Sequence, residues 1–257
     1  MNDKNETMDS LRKYGITKGE EKAGELYDDL KKWTFHNLYE KIANRYQINS
    51  NDFDYEYYVG HVNYLKKEIE RGFIETINKN KKNRKLGSKK CKYYKPENWI
   101  AKFAAEASIT HNHKFCIGTI FDYEIPTGGV RKKNIDLLSY DEKEKSVRMI
   151  ELKKENSNEY FKAIIELLDY YIRAKGYDLK KCDLNNHPYL KNKIVKEIKM
   201  TILTHSNSAI VRYYNNEKYQ NIRKLQDLFK IELYAYTTKK HNTIKEEIII
   251  DSIKKLK

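Results

Sequence analysis

The sequence between residues 134 and 153 decides the fold. It runs Asn134-Ile-Asp-Leu-Leu-Ser-Tyr-Asp-Glu-Lys-Glu-Lys-Ser-Val-Arg-Met-Ile-Glu-Leu-Lys153. Two short runs rich in strand-forming residues flank a polar turn, which predicts a β-hairpin. Because successive side chains of a strand point to opposite faces, Glu151 and Lys153 share one face of the second run.

The predicted pairing brings two acidic residues together. If Tyr140 lies opposite Val147, counting back along both strands places Asp136 opposite Glu151. The Cβ atoms of directly opposed residues are roughly 5 Å apart, and like charges in such a pair repel. A divalent cation would compensate that repulsion and activate water. A register shift of two residues keeps Asp136, Glu151 and Lys153 on one face, whereas a shift of one residue does not.

The composition favours a polyanionic partner. The chain has 257 residues, a formal net charge of +14 and 39% hydrophobic residues, which suits one large domain or one domain with an extension. Nucleic acid is the first expected partner and an anionic membrane surface the second. The sequence contains no apolar run of about 20 residues, so we expect no membrane span. The polar N-terminus and the scattered cysteines favour a cytoplasmic protein with reduced thiols.

Hydrophobic spacing divides the chain into three regions. Residues 1–78 are predicted to be a helical N-terminal region, 79–95 a basic segment, and 96–257 the domain that contains the hairpin. Within the first region, residues 1–15 are expected to be loose. A capping box at Thr17-Lys18-Gly19-Glu20 is expected to open helical structure over 18–47, and a second helix is expected over 53–78.

The basic segment 79–95 contains no acidic residue. Such a block repels itself and is typical of a flexible linker. The alternative is a DNA-binding loop that contacts phosphates, with tyrosines available to stack on bases. The candidate nucleic-acid-binding residues are Lys81, Lys82, Arg84, Lys85, Lys89, Lys90 and Tyr93.

From Pro96 onward, the pattern predicts a mixed α/β fold with the element order α-β-β-β-α-β-α-β. The predicted elements are a helix over 97–109, a strand over 115–125, the hairpin, a helix over 156–174, a strand over 200–205, a helix over 219–229 and a strand over 231–236. The tail is expected to add an edge strand or a short helix. Glu106 follows the apolar stripe of the first helix, where a lone acid is costly unless it is paired or binds metal.

Asp136, followed after a hairpin by Glu151-Leu152-Lys153, resembles the active-site motif of the PD-(D/E)xK nuclease superfamily. Ile135 stands where that motif usually has proline. The element order over 97–238 is similar to the restriction-endonuclease-like α-β-β-β-α-β core with a mixed central sheet and one added α-β unit. The resemblance implies a Mg²⁺-dependent nuclease in which Mn²⁺ is able to substitute.

The resemblance also implies residue roles. Asp136 and Glu151 would ligate the metal, with Glu106 and the carbonyl of Leu152 as further ligands. Lys153 would position the attacking water and stabilise the transition state.

A further likeness lies in the helix after the Glu-x-Lys strand. The RecB-like branch of the superfamily has Gln-x-x-x-Tyr there, and Glu166 and Tyr170 have the same spacing, with Glu in place of Gln. These two residues are therefore expected to contact nucleic acid. A carboxylate binds DNA less well than an amide, so the alternatives are that Glu166 holds Lys153 or a water, or that both residues are ordinary residues of the helix surface.

The expected function is hydrolysis of phosphodiester bonds in DNA, in restriction, defence or repair. A nuclease acting on RNA and a non-catalytic nucleic-acid-binding protein are the alternatives. A homodimer would be natural for double-strand cleavage by a single-site enzyme.

Overall fold

The structure is a computed structural model of the chain. It describes residues 7–48, 61–63, 67, 96–110, 113–127, 134–176, 187, 189–240 and 248–256. The basic segment 79–95 and most of the second predicted helix therefore lie outside the described residues.

The first three described elements are helices, and the rest of the described chain contains both helices and strands. The helices are α1 (Met8–Leu11), α2 (Ile16–Leu30), α3 (Phe35–Arg45), α4 (Pro96–Thr110), α5 (Tyr160–Gly176), α6 (Ala209–Tyr214) and α7 (Gln220–Leu228), with a 3-10 helix at Glu217–Tyr219. The strands are β1 (Thr119–Pro126), β2 (Asn134–Asp141), β3 (Ser146–Lys153), β4 (Glu197–His205), β5 (Glu232–Lys240) and β6 (Ile248–Lys255). Within these ranges, no helix has both the length and the apolar character needed to cross a bilayer.

The six strands form one mixed sheet in the order β1-β2-β3-β4-β5-β6. Strands β1 to β3 form an antiparallel meander, β3 to β5 are parallel, and β6 is antiparallel to β5. Parallel neighbours require crossover connections, and these contain α5 in one case and α6 and α7 in the other. The predicted mixed α/β class is confirmed, and the tail is a strand. The element order follows the prediction except that α6 and the 3-10 helix precede α7, and β1 begins at Thr119 and not at 115.

The register of the central hairpin is the one that the sequence predicts. Tyr140 pairs with Val147, and the ladder continues to Leu137 opposite Ile150. The polar turn is held by Arg148, whose guanidinium donates to Asp141 Oδ2 at 3.1 Å and to Glu144 Oε2 at 2.5 Å.

Helices cover both faces of the sheet. Helix α5 packs with α1, α2, α3 and α7 in one hydrophobic cluster, which takes Leu138, Val147 and Met149 from the hairpin. Helix α4 covers the other face, where Leu137 and Ile150 meet its buried alanines. The alternation along β2 and β3 therefore directs odd-numbered residues of β3, Glu151 and Lys153 included, toward α5.

Two N-terminal expectations are wrong. Residues 7–15 are not loose throughout, because Met8 and Leu11 of α1 are buried in the core. The capping box does not form either, since α2 begins at Ile16 with Gly15 as its N-cap and no side-chain cap. Gly19 packs against Phe161 of α5, so tertiary contact outweighs the local capping signal.

Candidate active site

Asp136 is bound to the strand that carries the Glu-x-Lys motif. Its Oδ2 accepts a 2.7 Å hydrogen bond from the main-chain N–H of Leu152. Backbone pairing of β2 with β3 ends at Leu137, so the carboxylate satisfies an amide just beyond the ladder. In a strand the N–H and C=O of one residue point to the same side, and the Leu152 carbonyl therefore also faces β2.

Glu151 and Lys153 form a buried ion pair. Lys153 Nζ lies 2.7 Å from Glu151 Oε1, and each residue is only 4% exposed. A second carboxylate comes from α5, where Glu166 Oε2 lies 3.0 Å from the same ammonium. The ammonium is thus held between a strand carboxylate and a helix carboxylate.

The second oxygen of Glu151 lacks a hydrogen-bond donor. Oε2 is buried, and none of the described groups donates to it. Burial raises the pKa of Glu151 well above its ordinary value, and the nearby charges of Asp136 and Glu166 raise it further against the opposing effect of Lys153. Ionisation of Glu151 is therefore costly here, and a positive partner besides Lys153 would favour it.

The charges of Lys153 and Glu166 support each other. Burial acts to lower the pKa of Lys153, but Glu151, Glu166 and Asp136 outweigh burial and hold that pKa well above its ordinary value. Burial acts to raise the pKa of Glu166, but the Lys153 ammonium outweighs it and the net shift is downward. The site therefore places three carboxyl groups, those of Asp136, Glu151 and Glu166, around one ammonium.

Tyr170 lies one helical turn after Glu166 and belongs to the same site. It is 5% exposed. Burial raises its pKa well above the ordinary value, and the charges of Glu151, Glu166 and Asp136 add to that effect. The structure thus brings together five of the predicted residues: Asp136, Glu151, Lys153, Glu166 and Tyr170.

The donor set suits a hard cation. Among the residues that the structure describes, no group of three or more His, Cys, Asp and Glu side chains is arranged to hold a metal ion. A cation bound by Asp136 and Glu151 would therefore complete its coordination with the Leu152 carbonyl and water, which is a ligand set that Mg²⁺ accepts. Glu151 Oε2, to which none of the described groups donates a hydrogen bond, is the oxygen that would bind the cation.

Glu106 is buried, at 6% exposure. It lies on α4, which covers the face of the sheet opposite α5. Its predicted role as a further metal ligand stays a prediction. The predicted nucleic-acid contacts between Lys81 and Tyr93 lie outside the described part of the chain.

A second buried polar cluster lies one strand away and was not predicted. Asp122, fully buried on β1, is 2.8 Å from His61 Nε2 and 3.4 Å from His187 Nε2. Burial acts to raise the pKa of Asp122, but the two neighbouring imidazoles outweigh burial and lower it overall. Asp122 pairs with Leu138, two residues from Asp136. A lone aspartate in an apolar strand is the one signal that the sequence offered.

Comparisons with protein-family models, with curated proteins and with solved structures found no match to this chain.

Proposed function

We propose that the protein is a divalent-cation-dependent nuclease of the restriction-endonuclease-like type that hydrolyses phosphodiester bonds, in DNA first. The observation that carries the proposal is that Asp136, whose Oδ2 accepts from the Leu152 N–H, stands next to the strand residues Glu151 and Lys153, which form a buried ion pair. Glu151 keeps a buried oxygen without a donor. Buried carboxylates that repel each other are costly to a fold. A cation site explains why they are kept.

Each residue has a distinct role in this proposal. Asp136 and Glu151 would hold Mg²⁺ with the Leu152 carbonyl. The ion supplies Lewis-acid stabilisation and a more acidic water. Lys153 would orient the attacking water and stabilise the negative charge that develops on the phosphate. Hydrolysis joins the water oxygen to phosphorus and releases a sugar oxygen as an alcohol.

The charge of the chain supports a nucleic-acid substrate. A formal net charge of +14 attracts a polyanion and speeds its encounter with the protein. The same charge favours the second candidate, a nucleic-acid-binding protein without catalysis. That candidate leaves the acidic pair beside Lys153 unexplained, because carboxylates weaken binding to phosphate.

The test is cleavage of plasmid, single-stranded DNA and RNA with Mg²⁺ or Mn²⁺, by wild type and by Asp136→Ala and Lys153→Ala. We expect the wild type to cleave DNA, and both variants to bind it with little or no cleavage. Cleavage of RNA in preference to DNA would show that the substrate is RNA. Binding without cleavage by the wild type, on every substrate and metal, would favour the non-catalytic protein.

A further inference from the structure

The contact between Lys153 and helix α5 points to a residue that the motif does not contain. Lys153 Nζ lies 2.7 Å from Glu151 Oε1 and 3.0 Å from Glu166 Oε2. Glu151 comes from the strand of Lys153 itself, whereas Glu166 comes from the helix packed on that strand. The two carboxylates therefore hold the ammonium from two separate elements of the fold.

Glu151 and Glu166 differ in their other proposed interactions. Under the proposed function, Glu151 also binds the cation, which draws its negative charge away from Lys153. Glu166 then remains the carboxylate that holds the ammonium. A buried ammonium without a carboxylate partner is costly and moves toward solvent.

We infer that Glu166 is the positioning residue for Lys153, and that it acts through the lysine and not by contacting nucleic acid. This inference rests on the proposed function. Residues that orient a group at a metal site, without touching the substrate, typically contribute 10- to 100-fold to activity or metal affinity.

The surroundings of Glu166 suit a fixed support. Its side chain is 14% exposed, and its neighbours in α5, Ile165 and Leu167, are fully buried. A residue held so firmly has little reach toward a phosphate backbone. A carboxylate would also repel phosphate, whereas it attracts an ammonium.

Glu159 provides a matched control. It lies just before α5, and its Oε2 is 3.6 Å from Lys153 Nζ, but its side chain is 42% exposed. Its closer partner is Lys162, at 2.8 Å. Exposed pairs at such distances contribute little, so Glu159→Gln makes the same chemical change with little expected effect on Lys153.

The experiment combines steady-state kinetics with a double-mutant cycle. Glu166→Gln, Lys153→Met and the double variant are compared with wild type and Glu159→Gln on a DNA substrate with Mg²⁺, and duplex affinity is measured separately with Ca²⁺. We expect Glu166→Gln to lower kcat by about 10- to 100-fold while KM and duplex Kd stay within about twofold. In the Lys153→Met background, Glu166→Gln should cause almost no further loss of kcat, because the effects of substitutions at two interacting residues are not additive.

Two results would overturn the inference. One is a full, independent loss of kcat from Glu166→Gln when Lys153 is already methionine. The other is a higher KM and a weaker duplex affinity with kcat retained, which would make Glu166 a nucleic-acid contact. If Glu166→Gln does not fold, Glu166→Asp keeps the charge one methylene shorter and is judged by the same comparison of kcat with KM.

Failure of the proposed function is distinguishable from failure of this inference. If the wild type cleaves no substrate, the same cycle is measured on free energies of urea unfolding, beside a second cycle made of Glu159→Gln, Lys153→Met and their double variant. A coupling of Lys153 with Glu166 that exceeds its coupling with Glu159 supports the positioning role. Equal couplings contradict that role.

Discussion

The main-chain N–H of Leu152 donates a 2.7 Å hydrogen bond to Oδ2 of Asp136. This bond ties the first acidic residue of the motif to the strand that carries the second. It gives Asp136 a structural role beside its proposed chemical one, and substitutions are able to separate the two.

Asp136→Asn keeps an oxygen that accepts from Leu152 but removes the charge. We expect it to be as stable as wild type within about 1 kcal/mol and to lose about 100-fold or more in cleavage. Asp136→Ala also leaves the amide unsatisfied, and should be less stable than Asp136→Asn by about 1–3 kcal/mol. Urea unfolding and plasmid cleavage measure the two effects. Equal stability of the two variants would show that the hydrogen bond from Leu152 to Asp136 does not contribute to the stability of the fold.

Lys153→Met removes the ammonium and leaves Glu151 and Glu166 buried together. Breaking a buried ion pair costs about 3–5 kcal/mol, and we expect a loss of that order at pH 8. Burial and Asp136 raise the pKa of Glu151, so its ionisation lowers stability as pH rises above the ordinary carboxyl range of about 4.3. The deficit relative to wild type should therefore shrink at pH 5.

Urea unfolding of wild type and Lys153→Met at pH 5 and pH 8 tests this expectation. Addition of Mg²⁺ at pH 8 should stabilise the variant, since the ion replaces part of the missing charge. A deficit that is independent of both pH and Mg²⁺ would show that Lys153 contributes packing and not charge.

The hairpin register was predictable because it depends on a period of two and a short turn. Tyr140 and Val147 pair as the alternation requires, and every inward position of both strands follows from that pair. The contact between Lys153 and Glu166 was not predictable to the same degree. It requires the depth and rotation of α5 over the sheet, which side-chain packing sets and local sequence does not.

Other contacts join residues far apart in the chain, so local patterns could not reveal them. Arg12, the residue that follows α1, donates to the buried Asp169 of α5 at 2.6 Å across 157 residues. This ion pair fixes a segment that the polar sequence alone predicts to be loose. The cluster of Asp122 with His61 and His187 likewise joins three distant segments.

Asp122→Asn tests that cluster. The neighbouring imidazoles of His187 and His61 outweigh burial and lower the pKa of Asp122. A carboxyl with a lowered pKa in the folded state contributes stability above its unfolded value of about 3.9, and that stability is lost as pH falls through the folded value. We expect the variant to lose about 1–3 kcal/mol at pH 7 and to show a shallower loss of stability between pH 5 and pH 3. If Asp122→Asn loses stability between pH 5 and pH 3 as steeply as wild type does, this explanation of the cluster is wrong.

Gly118→Ala tests the turn that precedes β1. Gly118 has a φ of +94°, and an added Cβ would overlap the carbonyl oxygen of Tyr140. We expect a loss of about 1–3 kcal/mol or more in the free energy of unfolding. Gly15→Ala is the control, because no atom lies within 4 Å of its Cβ position and its cost should stay below about 1 kcal/mol. Similar losses in the two variants would contradict this reading of the turn.

The central claim is that Asp136 and Glu151 hold one divalent cation between them. The most direct measurement is anomalous diffraction at the manganese edge, from crystals of the wild type soaked in Mn²⁺ at a concentration that supports cleavage. The account predicts one peak about 2.1 Å from an oxygen of each carboxylate, and no peak there in Asp136→Asn. A map with no density between the two carboxylates of the wild type would contradict it.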